Sequence, residues 1–134
     1  MTNQLISFKT AKLAKEKGFD IPVNHVYAET IDGSCLSKGS QEDSGDIYNY
    51  NERSGFSAPT QSLLQKWLRE VHNLDVSSFP YLKDVWRYCI CKLDSHPQYY
   101  SMQLAKDWSE DGYKYHTYEE AFEQGLKEAL LLIK

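Results

Sequence analysis

The stretch from Thr117 to Ile133 constrains the fold more than any other part of the chain. Thr117 is placed to cap the first amides of a helix, and Glu120, three residues on, can reach back to the cap residue, which is the pattern of a capping box. Tyr118, Phe122, Leu126, Ala129, Leu130 and Ile133 then recur at helical spacing, with Glu119, Glu123, Lys127 and Glu128 on the opposite side. A helix with one apolar stripe must dock that stripe on something. The rest of the chain has to supply the surface that receives it.

A second segment of the same kind precedes it. Ser57-Ala58-Pro59-Thr60 reads as a helix opening, with Pro59 tolerated only in the first turn. Leu63, Leu64, Trp67, Leu68 and Val71 form the expected buried stripe, Gln65, Lys66, Arg69 and Glu70 the wet side, and Asn73 the stop. Between the two helices, Leu74 to Phe79 and Val85 to Leu93 read as strands joined by a turn near Pro80, with a third short strand through Tyr99 to Leu104. The strand from Val85 is apolar on both faces, Trp86, Tyr88 and Ile90 against Val85, Cys89, Cys91 and Leu93, so both faces should be covered. The expected architecture is α+β, a small antiparallel sheet with helices packed on it, its second half ordered helix, strand, strand, a further short strand, helix.

The first half is less regular. Ser7 to Lys17 reads as a helix ended by Gly18 in a left-handed cap. His25 to Ser37 reads as a hairpin turning at Asp32-Gly33. Residues 38–56 read as a long loop, part of it a short edge strand through Ile47 to Tyr50. At 134 residues the whole is the size of one domain, residues 1–134, with one core.

Composition excludes several classes of function. Net charge is −4 and evenly spread, 6 basic against 8 acidic residues through Ala58 and 9 against 11 after it. Counterion release requires clustered cations, and the one cluster, Lys9, Lys12, Lys15 and Lys17, reads as the solvated face of the first helix, which argues against nucleic acid as a partner. The start lacks a charged segment followed by an apolar run, and the apolar run Ala129 to Ile133 is too short to span a bilayer, so a cytoplasmic protein without a membrane partner is expected. No glycine-rich phosphate loop and no nucleophile elbow occur, and no cofactor, catalytic residue or enzymatic activity is assigned.

Three cysteines fit a reducing compartment. Cys89 and Cys91 alternate along a strand, so both thiols share a face, and His96 follows. A closed zinc site needs four ligands, and Cys35, His25, His72 and His116 lack the paired spacing to complete one, so no metal is assigned. The binding candidates are instead the aromatics in polar stretches: Tyr48, Tyr50, Phe56, Tyr99, Tyr100, Trp108, Tyr113 and Tyr115. Core periodicity does not explain them, and rings of this kind anchor contact surfaces. Carboxylate pairs such as Asp43 with Asp46, or Glu110 with Asp111, read as ordinary turn residues.

Three phrases carry a resemblance: Thr10-Ala11-Lys12-Leu13-Ala14-Lys15-Glu16-Lys17-Gly18-Phe19-Asp20, Ser57-Ala58-Pro59-Thr60-Gln61-Ser62-Leu63-Leu64-Gln65-Lys66-Trp67-Leu68-Arg69-Glu70, and Thr117-Tyr118-Glu119-Glu120-Ala121 with Gly125-Leu126. Together they resemble a group of small proteins from gut bacterial genomes and their prophages that has no assigned activity. The resemblance implies a prophage setting and no mechanism. The second half alone is similar in element order to double-stranded RNA-binding domains and to HicB-type antitoxin domains. Glu119, Glu120 and Glu123 stand where the former would need cations to meet phosphates.

The reading that follows is a non-enzymatic module that binds a protein partner or a second copy of itself, as a possible homodimer. Its alternatives are a small thiol and histidine enzyme or metal site on Cys89, Cys91 and His96, and an acidic, phage-borne inhibitor of a nucleic-acid-binding protein.

Overall fold

The structure is a computed structural model that describes residues 4–27, 49–52, 55–93 and 115–133. The first helix, α1, runs from Phe8 to Glu16. Ser7 caps it, its hydroxyl accepting from the Thr10 amide at 3.3 Å. Its buried face is made of small residues, Thr10, Ala11 and Ala14. At the other end Gly18 takes a φ of 93°, which a residue with a Cβ adopts only under strain. The Gly18 amide then donates to the Lys15 carbonyl and the Phe19 amide to that of Ala14, the paired bonds of a Schellman ending, and Phe19 is buried after it.

Val26–Tyr27 (β1) was expected to turn back on Cys35 to Ser37. Its described partner is Phe56–Ser57 (β2), antiparallel, with Val26 opposite Ser57 and Tyr27 opposite Phe56. Cys35 to Ser37 lie outside the described residues. Of the edge strand expected through Ile47 to Tyr50, Ile47 and Tyr48 lie outside the described residues; Tyr50–Glu52 form a 3₁₀ turn, in which the Asn49 carbonyl and side chain take the Glu52 and Asn51 amides locally. Asn51 fixes that turn: its amide nitrogen donates to the Phe19 carbonyl at 2.9 Å and its oxygen accepts from the Ser57 amide at 2.8 Å. Ser57 is thus a strand residue, and the helix expected to open there begins at Gln61.

That helix, α2 (Gln61–His72), leads into two long strands, β3 (Leu74–Leu82) and β4 (Val85–Lys92), and the closing helix α3 (Tyr118–Leu132) completes the order. Asn73, at a φ of 59°, reverses the chain between α2 and β3. The strands pair antiparallel from Leu74 opposite Lys92 to Leu82 opposite Val85. The turn expected near Pro80 falls instead at Lys83 and Asp84, and β3 runs through Pro80, with Tyr81 the extra residue of a bulge. Tyr99 to Leu104 lie outside the described residues; beyond β4, Trp86 makes a single antiparallel bridge to Tyr115.

The α3 capping box is formed in full, Thr117 accepting from the Glu120 amide at 3.1 Å and Glu120 from the Thr117 amide at 3.1 Å. Ala121, Phe122, Gly125, Leu126, Ala129 and Leu130 are its buried face. They meet the even-numbered face of the ribbon. A Cβ added at Gly125 would stand 2.8 Å from Val76 Cγ1 and 3.0 Å from Tyr88 Cβ, so helix and sheet touch at that position with no side chain between them. The fold class is α+β as expected.

The chain divides into two compact units, Leu5–Thr60 and Gln61–Lys134 with Met1–Gln4. The first buries Ile6, Ala11, Ala14, Phe19, Val23 and Ala58; the second centres on Leu64, Trp67, Leu68, Val76, Tyr88, Ile90, Phe122 and Leu126. One part of the expected α2 face differs. Val71 is 57% exposed, because it lies in the last turn, where the chain leaves through Asn73. Gln65 and Arg69, half-exposed on the polar side, also reach β3: Gln65 donates to the Val76 carbonyl at 2.6 Å, and Arg69 Nη1 lies 3.4 Å from Asp75 Oδ1.

Candidate functional site

Of the eight aromatic candidates, Tyr48, Tyr99, Tyr100, Trp108 and Tyr113 lie outside the described residues. Tyr50 opens the 3₁₀ turn. Phe56 is half-buried in β2, its ring edge-on to Phe8 at 5.5 Å and 4.8 Å beneath the Lys15 ammonium. Lys15 also donates to the Gly55 carbonyl at 2.9 Å, and Lys12 sits over the Phe8 ring, so two members of the lysine cluster lie along aromatic rings instead of extending into water. Tyr115 is half-buried and tilted against Tyr88, 6.2 Å between centroids. The two candidates with described side chains, Phe56 and Tyr115, therefore pack on neighbours within their own units.

The hairpin and α3 carry a second aromatic group. Trp86, Tyr118 and Phe122 stack edge to face in sequence, with centroids 5.5 and 5.3 Å apart. Burial, and then the Glu119 carboxylate, hold the Tyr118 phenol above its ordinary pKa. At the hairpin turn exposed His116 lies with Nδ1 3.2 Å from the Asp84 carbonyl oxygen, and its amide donates to Glu120, so this imidazole ties the turn to the start of α3.

Cys89 and Cys91 do share a face of β4, as their spacing requires. Both are buried, and their sulfurs lie 3.4 Å apart. Cys35 and His96 lie outside the described residues, and among the described residues no group of three or more His, Cys, Asp or Glu side chains is arranged to hold a metal ion.

Fully buried Gln61 had no signal in the sequence. Its amide nitrogen donates to the Glu119 carbonyl at 3.1 Å and to Glu123 Oε1 at 3.0 Å, while its own oxygen is buried with no partner. These bonds set the first turn of α2 beside the first turn of α3; α2 then passes Gln65 at Val76 and Arg69 at Asp75, and α3 passes Tyr118 at Ser78 and Gly125 at Val76, so both run towards the Leu74 end of the ribbon. Their last turns consequently reach the same end, where Leu93 donates its amide to the Asn73 carbonyl at 2.7 Å. Three large apolar side chains are exposed there: Val71 at the end of α2, Leu131 at the end of α3 and Leu93 just past β4. The other two exposed in the described chain, Tyr81 and Leu82, flank the hairpin turn, and the Arg87 guanidinium already covers the Tyr81 ring at 3.8 Å.

Comparison with protein-family models, with curated proteins and with solved structures gave no match. Among the described residues no helix is long and apolar enough to cross a membrane.

Proposed function

We infer that the chain is a non-enzymatic interaction module, and that the common end of α2, β4 and α3 is the surface it presents to a protein partner, a second copy of itself being the partner to test first. The observation that carries this reading is that Val71, Leu93 and Leu131 are exposed and stand where α2, β4 and α3 finish in one unit. A single exposed leucine is ordinary, whereas a group of them concentrates the driving force for association. Each such side chain contributes about 1.5–3 kcal/mol when fully buried. The small net charge of −4 opposes contact between two copies only weakly. A prophage setting, suggested by the resemblance of the sequence, is compatible with this role.

Sedimentation velocity over a wide range of protein concentration tests it. The weight-average mass is expected to rise towards that of a dimer, and Val71→Glu with Leu131→Glu, two changes at exposed positions, are expected to hold the chain at the monomer mass. A monomer at every concentration, combined with failure of the purified chain to retain any protein that the Glu variants release, would remove the reading.

A further inference from the structure

We draw no further inference here: the strongest candidate, the outer edge of β3 from Val76 to Leu82 with exposed Tyr81 and Leu82 at its end, is closed to an added strand where Gln65 takes the Val76 carbonyl and Pro80 supplies no amide, and nothing in the structure shows what covers the rest.

Discussion

Gly125 and Tyr118 show most directly how single residues set this fold. Alanine is the better helix former by about 1 kcal/mol, so an exposed Gly125→Ala would stabilise α3. Here the new methyl meets Val76 Cγ1 at 2.8 Å and Tyr88 Cβ at 3.0 Å, and the second of these is fixed to the strand backbone. Overpacking costs about 1–3 kcal/mol, so a net loss of up to about 2 kcal/mol is expected in urea unfolding, partly restored by adding Val76→Ala. Tyr118 gives a pH dependence with a definite sign. Its phenol is held above the ordinary value of about 10, so the unfolded chain ionises first as pH rises. The stability it contributes is complete below about pH 10 and is lost as pH climbs through the folded value. Urea midpoints are therefore expected to fall between about pH 9 and pH 11 by more in the wild type than in Tyr118→Phe; equal slopes would contradict this. None of these residue effects can be read from local sequence. The sequence gives no sign that Val76 and Tyr88 lie beneath Gly125, or that Glu119 and Glu123 lie beside Gln61.

At the scale of elements, what is local in the chain is also legible in it. Both ends of α1 and the start of α3 follow from neighbouring residues: Ser7 with Thr10, Gly18 with Lys15 and Phe19, Thr117 with Glu120. Thr117→Ala is expected to cost about 1 kcal/mol through loss of the cap. Gly18→Ala is expected to cost about 1–2 kcal/mol for the left-handed backbone, since nothing stands near enough to obstruct the added methyl. Both are checked by the shift of a urea midpoint at unchanged slope. The elements that sequence reasoning missed are held by distant partners. Phe56–Ser57 is a strand only because Val26–Tyr27 lies against it, and β3 passes through Pro80 only because β4 keeps pairing to Leu82. The bonds of Gln61, Gln65 and Arg69 were not legible in the sequence because their acceptors, Glu119, Val76 and Asp75, belong to other elements.

At the scale of the whole molecule, the proposed function depends on a consequence of helix direction. Because Gln61 sets α2 and α3 side by side at their starts, Val71 and Leu131 finish at the same end as Leu93. The aromatic residues of the polar stretches pointed to a contact surface by composition. The two with described side chains, Phe56 and Tyr115, are instead occupied by Phe8, Lys15 and Tyr88. The apolar end had no sequence signature, since Val71 belongs to a stripe that reads as core and Leu131 lies within an unbroken apolar run. Hydrogen exchange of the backbone amides, measured on dilute and concentrated samples, tests the role of this end most directly. Exchange at the last turns of α2 and α3 and around Leu93 is expected to slow with concentration while the hairpin turn at Lys83 and Asp84 stays unchanged. Exchange at that end that does not depend on concentration, or protection that appears at the hairpin turn instead, would contradict it.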